Sequence, residues 1–314
     1  MNTHQSSPQT NTMRPSGIWL PLVTPFRDGV LDEPSVRRLV RHYASQPVDG
    51  LILAATTGEG LTLNEEETER LVATAADEKA ACRARFPIYL GLSGSDSRKL
   101  VEALHGSSAW PVVGYLITCP YYVRPSQEGL FQRFTALADN TPRPILIYNI
   151  PYRTGVNLEN DRMLRLAERT NIVGVKDCSA NAAQSFDLLR RRPAGFTVLT
   201  GDDAQFYDAL SHGADGGILM SAHVAPRAFA DVRAALAAGD LAAALSKWRD
   251  LVDLPGLLFS EPSPAPVKYG LWRLGLIESP EVRLPMTPAT PALARRIDSY
   301  IASQSPLAKA AAPA

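Results

Sequence analysis

Short apolar runs alternate along the chain with longer stretches whose apolar residues recur every three or four positions, and the alternation repeats eight times. The runs cover 17–26, 50–56, 87–93, 114–119, 144–150, 172–176, 196–200 and 216–220. Most are rich in Val, Ile and Leu with no polar alternation, the pattern of strands buried on both faces of a parallel sheet. Helical patterns fill 33–45, 64–84, 97–106, 126–139, 158–169, 182–191, 204–212 and 226–238. Asn64 precedes three Glu and Ser126 precedes Gln127 and Glu128, which predicts N-caps with acid in the first turn. Gly213 stands where a helix should end in a left-handed residue. Eight strand–helix units in about 220 residues predict a (β/α)8 TIM barrel. An open doubly wound sheet usually carries a glycine-rich phosphate loop after its first strand. Here that position holds Thr24-Pro25-Phe26. Further helical patterns at 241–259, 265–275 and 291–303, separated by Pro, predict a C-terminal helical appendage. The expected organisation is a disordered tail over 1–15, the barrel over 16–238 and a helical extension over 239–314.

Composition narrows the partners. Lys plus Arg and Asp plus Glu are both 32, so the formal net charge is zero and neither a nucleic-acid surface nor an anionic membrane is the expected partner. No run approaches the ~18 apolar residues of a membrane span, and 1–16 lacks the apolar centre of a signal peptide. Cys82, Cys119 and Cys178 are scattered without a CxxC, as in a reducing cytoplasm. The five His residues have no metal-ligand spacing, and no phosphate-cradling glycine motif occurs. A zinc site and an ATP- or NAD-dependent reading therefore start with nothing in their favour.

Barrel chemistry sits at the C-terminal ends of the strands. The residues predicted there are Thr56-Thr57-Gly58-Glu59, Cys119-Pro120-Tyr121-Tyr122, Tyr148-Asn149 with Arg153, Lys176-Asp177 and Gly201-Asp202-Asp203. Only six of the 32 basic residues are Lys, and only Lys176 closes an apolar strand. Burial there should lower its pKa and free a neutral amine able to attack a ketone. The alternative is a Lys paired with a carboxylate, Asp177 or Glu59. The other five Lys fall on helices or a tail, where a solvated side chain is expected. Tyr148 and Tyr122, linked through a Thr hydroxyl, could relay protons; the alternative is a pair of core aromatics. Arg153 could grip a carboxylate bidentately, or simply be solvated. The Thr56-Thr57-Gly58 turn could hold a second carboxylate through hydroxyls and backbone N–H groups.

With these residues the chain resembles the dihydrodipicolinate synthase / N-acetylneuraminate lyase family of pyruvate-dependent, Schiff-base barrels. The likeness is carried by Thr56-Thr57-Gly58-Glu59, Pro120-Tyr121-Tyr122-Val123-Arg124-Pro125, Tyr148-Asn149-Ile150-Pro151-Tyr152-Arg153-Thr154-Gly155, Gly174-Val175-Lys176, Gly201-Asp202-Asp203, Glu261-Pro262 and Arg283-Leu284-Pro285-Met286-Thr287-Pro288. It implies a lyase acting on small-molecule substrates, pyruvate and an aldehyde, with no metal and no cofactor beyond a covalent imine that Lys176 forms with pyruvate, and with Tyr148 as the general acid/base. It implies that Thr56 joins Tyr148 to a Tyr122 supplied by a neighbouring subunit of a homodimer or homotetramer. Thr57, Arg153, Ile218, Gly201 and Asp202 are implied in substrate binding. Arg153 and the paired Tyr point to the synthase branch, which condenses pyruvate with L-aspartate 4-semialdehyde in lysine and diaminopimelate biosynthesis. The alternatives are a sister aldolase or dehydratase acting on a sugar acid or 2-oxo acid, and, more remotely, a non-catalytic 2-oxo-acid binder. Asp177-Cys178-Ser179-Ala180 departs from the synthase pattern of Glu-Ala-Thr/Ser-Gly, and the role of Cys178 stays open. Gly60, Leu61, Glu65, Thr68, Ser95 and Lys99 replace the residues of lysine-sensitive members, so lysine feedback is expected to be weak.

Overall fold

The computed structural model describes residues 14–304. The expected tail over 1–15 lies almost wholly outside these residues, as does the Ala-rich C-terminus with Lys309. Eight parallel strands close a barrel: β1 Gly17–Pro21, β2 Gly50–Leu53, β3 Ile88–Leu92, β4 Gly114–Thr118, β5 Ile145–Asn149, β6 Ile172–Asp177, β7 Thr197–Thr200 and β8 Gly216–Ile218. Each strand pairs with its sequence neighbours, and β1 pairs with both β2 and β8, so no edge is left open. All eight predicted strands are present. The first is shorter than its apolar run, because the chain leaves the sheet after Pro21 and makes a small antiparallel pairing of Phe26–Arg27 with Val30–Leu31.

Strand alternation sends one set of side chains outward under the helices and the other into the barrel. Trp19 and Tyr89 fill the interior edge-to-face at 5.0 Å between ring centroids. Room for Trp19 comes from Gly50, where a Cβ would overlap the indole. Leu116, Leu146 and Leu199 continue this inner layer upward to Tyr148 and Ile218. The surrounding helices carry the predicted caps. Asn64 Oδ1 accepts from Glu67 N at 2.8 Å while Glu67 Oε2 accepts from Asn64 N at 3.1 Å, a capping box opening the helix Glu65–Ala81. Ser126 caps Gln127–Asp139, and Gly213 follows Phe206–Ser211 with a φ of 95°.

Two predicted helices are divided. The 241–259 pattern splits into Leu241–Leu251 and Asp253–Leu258, with Pro255 in the first turn of the second piece, where a missing N–H costs nothing. The 204–212 pattern becomes a 3-10 turn, Asp203–Gln205, before Phe206–Ser211. One short helix, Pro151–Thr154, was not foreseen. It is a single turn, below the length at which periodicity shows. The last helices, Ala265–Arg273 and Pro291–Ser303, pack on each other, and Asp253–Leu258 packs on Pro291–Ser303.

His223 is locked into the neutral form by its bonds. Its Nε2 accepts from Val23 N at 3.3 Å, and its Nδ1 lies 2.8 Å from the Met220 carbonyl. Burial pulls its pKa down from 6.5 to about 4. The unfolded chain therefore takes up this proton first as pH falls, so stability drops between pH 6.5 and 4. Asp203 works the other way. Burial raises it from 3.8 to about 6, so the folded state gains its proton first on acidification. The two contributions oppose each other over nearly the same window. A His223→Gln variant separates them: the native urea-unfolding free energy should fall by about 3 kcal/mol more than the variant's between pH 7 and pH 4. Parallel curves would contradict a buried neutral His223.

Candidate active site

A cavity of about 300 Å³ opens at the C-terminal end of the barrel strands. Thr56, Thr57, Tyr148, Arg153, Lys176, Gly201, Asp202 and Ile218 all line it. Pro255, Gly256, Phe259 and Ser263 cover one side, so the C-terminal helices help shape the mouth.

Lys176 and Tyr148 are register partners on β6 and β5, both pointing inward. The ammonium nitrogen lies 4.2 Å from the centroid of the Tyr148 ring. Lys176 is 5% exposed, and burial lowers its pKa against the smaller opposing pull of Cys178 and Asp203. Both carboxylates considered as its partner are engaged elsewhere. Asp177 faces outward, where Oδ2 accepts from Ser185 Oγ at 2.5 Å and Oδ1 from Ser179 N at 2.9 Å. Glu59 is bound by Lys268 at 2.5 Å. Among the described residues Lys176 makes no ion pair. The expectation that every other Lys is solvated fails at Lys268, whose side chain is fully buried. It sits on Ala265–Arg273, and its partner is 209 positions away, beyond the reach of helical periodicity.

Tyr148 is 4% exposed, and burial raises its phenol well above the ordinary value, so it is a neutral donor at physiological pH. Thr57 is buried and Thr56 half-buried at the end of β2. Gly201 follows β7 directly against the Lys176 side chain: a Cβ there would overlap Lys176 Cε and Cys178 Sγ. Asp202 borders the cavity while its Oδ1 accepts from Ala204 N at 3.1 Å, starting the following turn. Ile218 closes β8 with 1% exposure. Arg153 rides on Pro151–Thr154, exposed at the mouth, with Nε donating to Tyr152 Oη at 2.9 Å and its guanidinium 5.2 Å from that ring's centroid. Tyr122 is not brought to this cavity by its own chain. It is 91% exposed, at a φ of 73°, with its N–H bonded to the Thr154 carbonyl at 3.1 Å.

Two further residues of the site are named in the sequence without a role. Cys178, left open there, lines the cavity two positions beyond Lys176, and burial pushes its thiol up to about 12, so it is no thiolate. Asp203 is 1% exposed and accepts from Ser221 N at 2.5 Å and Met220 N at 3.3 Å, which pins the segment following β8. Its place in the Gly201-Asp202-Asp203 run was the available signal. Among the described residues no cluster of His, Cys, Asp and Glu forms a metal-binding group. A ketone placed over Tyr148 would meet a desolvated amine, a phenol able to move protons, and hydroxyl and backbone donors of the Thr turn for its carboxylate.

The sequence profile of the Dihydrodipicolinate synthetase family matches residues 14–303. The 4-hydroxy-tetrahydrodipicolinate synthase 2 of Clostridium acetobutylicum is 39% identical over 290 residues, which cover 92% of this chain and 100% of that protein. The crystal structure of dihydrodipicolinate synthase from Thermotoga maritima superposes with a TM-score of 0.88 at 32% identity, covering 93% of this chain and 99% of that one. The chloride-inhibited dihydrodipicolinate synthase from Acinetobacter baumannii, solved with pyruvate, superposes with a TM-score of 0.86 at 32% identity, covering 94% and 98%.

Proposed function

The chain belongs to the dihydrodipicolinate synthetase family, and from that premise we propose that it condenses pyruvate with L-aspartate 4-semialdehyde to give 4-hydroxy-tetrahydrodipicolinate. The observation that carries this reading is Lys176: buried, without an ion pair among the described residues, and facing Tyr148 at the catalytic end of the barrel. The neutral amine attacks the pyruvate ketone carbon, and the resulting carbinolamine loses water to form the imine. Removal of a methyl proton gives the enamine, whose carbon attacks the aldehyde. The amino group of the semialdehyde then attacks the imine carbon, closes the ring and releases Lys176. One water leaves per turnover. Tyr148 carries the protons at the carbinolamine and enamine steps, and Thr57 with its neighbouring N–H groups holds the pyruvate carboxylate.

Tyr122 completes the relay through Thr56 from a second copy of the chain. Its exposed ring, far from solvation's usual preference for polar groups, supports that reading, and the working unit is then a homodimer or a tetramer of dimers. The unpaired Cys82, Cys119 and Cys178 support a cytoplasmic location. The reaction needs no metal and no cofactor beyond the covalent imine.

A coupled assay with aspartate semialdehyde tests the acceptor. Turnover with sugar-acid aldehydes but not with the semialdehyde would transfer the chain to the sister aldolases. Arg153 at the mouth is the group for the semialdehyde carboxylate. Arg153→Ala should raise the KM for the aldehyde roughly 10- to 100-fold, the worth of charge-assisted hydrogen bonds, while pyruvate saturation stays unchanged. A shift in pyruvate saturation instead would place Arg153 on the other substrate.

A further inference from the structure

We propose that the buried Lys268–Glu59 pair is a positioning device that holds the Thr56–Thr57 wall of the imine site from the C-terminal helices. The inference rests on the reading of Lys176 as the pyruvate amine. Lys268 Nζ donates to Glu59 Oε1 at 2.5 Å and to the Glu281 carbonyl at 2.7 Å. The second Glu59 oxygen accepts from Arg283 N at 2.8 Å. Arg283 also donates from Nη1 to the Thr62 carbonyl at 3.0 Å and pairs with Glu67 at 2.5 Å. Segments from Ala265–Arg273 and from 281–283 thus converge on the loop leaving β2.

That loop has little freedom of its own to waste. Glu59 N bonds to the Thr56 carbonyl at 3.1 Å and Gly60 N to the Ala55 carbonyl at 3.2 Å. Thr24 Oγ1 donates to the Gly58 carbonyl at 2.6 Å. Ala54 and Glu59, one on each side of Ala55–Gly58, both sit in the left-handed region with φ of 54° and 53°. Non-glycine residues hold that conformation only where surrounding contacts impose it. At Glu59 those contacts include the two bonds to its carboxylate, beside the bonds that its carbonyl accepts from Thr62 N at 2.8 Å and Thr62 Oγ1 at 2.9 Å. The pair touches no part of the cavity itself: neither Glu59 nor Lys268 lines it, whereas Thr56 and Thr57 do. Its effect on chemistry passes through the backbone of the Thr turn.

Lys268→Met strands the Glu59 charge in the interior and could prevent folding. Lys268→Met combined with Glu59→Gln removes both charges at nearly constant volume and keeps the test open. Glu78→Gln serves as reference, because it breaks the Arg41–Glu78 pair, whose residues do not line the cavity. The readout is the rate of borohydride trapping against pyruvate concentration. The folded double variant should need about ten-fold more pyruvate for half-maximal trapping, since small displacements of binding groups carry penalties of that size or larger. Its maximal rate should fall as well, because Thr56 of the proton relay shifts together with Thr57, whereas its pH profile should match the native one, because the surroundings of Lys176 are untouched. Glu78→Gln should saturate as the native protein does. Native saturation by the double variant would overturn the positioning role while leaving the imine intact. Absence of an adduct on the native protein would instead overturn the imine reading and this inference with it.

Discussion

Lys176→Ala should abolish both the pyruvate adduct and turnover, a loss of at least about 10⁴-fold, on the scale seen when a covalent nucleophile is removed. The reason is specific to this site. Lys176 is the amine that faces the cavity, and Lys268, the other buried one among the described residues, is held by Glu59 and the Glu281 carbonyl. The fold should survive the change, because the shortened side chain leaves space continuous with an open cavity rather than a sealed void. Circular dichroism and thermal melting of the variant measure this. Retained turnover in a well-folded Lys176→Ala protein would mean that the reaction does not pass through this amine.

Tyr148→Phe should be the second-largest effect, lowering turnover by about 10²- to 10⁴-fold, the usual range for removing a general acid/base. The phenol is buried and neutral, so what is lost is a proton carrier and not a charge. The aromatic ring against Lys176 stays, and the amine keeps its desolvated surroundings. Trapping of pyruvate should therefore persist at a reduced rate, with dehydration of the carbinolamine as the slow step. Single-turnover kinetics with rapid quench would resolve this. Unchanged turnover with Tyr148→Phe would move the proton transfer to another group of the cavity wall, which also holds Cys178 and Asp203.

Much of this site is legible in the sequence because barrel chemistry is local to strand ends. An apolar run closing on Lys, another closing on Tyr-Asn and a third followed by Thr-Thr-Gly-Glu place their residues without knowledge of packing. The two divided helices are legible only in part, since apolar periodicity continues across Val252 and across the turn before Phe206. What the sequence hides is long-range pairing. Glu59 reads as a plausible partner for Lys176, yet Lys268, from a helix beyond the barrel, occupies it. Helical spacing reports which face of Ala265–Arg273 is apolar, not that an ammonium on it reaches a carboxylate across the fold. The role of Asp203 is hidden for the same reason, as the donors to its carboxylate are backbone N–H groups of the segment after β8. Tyr122 shows the converse: its place in the motif is plain, but its own chain leaves the ring in solvent.

The most direct measurement is peptide mapping by mass spectrometry after borohydride reduction of the native protein in the presence of pyruvate. The account predicts a single reduced adduct, on the peptide containing Lys176. No adduct, or one confined to Lys268 or a surface Lys, would contradict it.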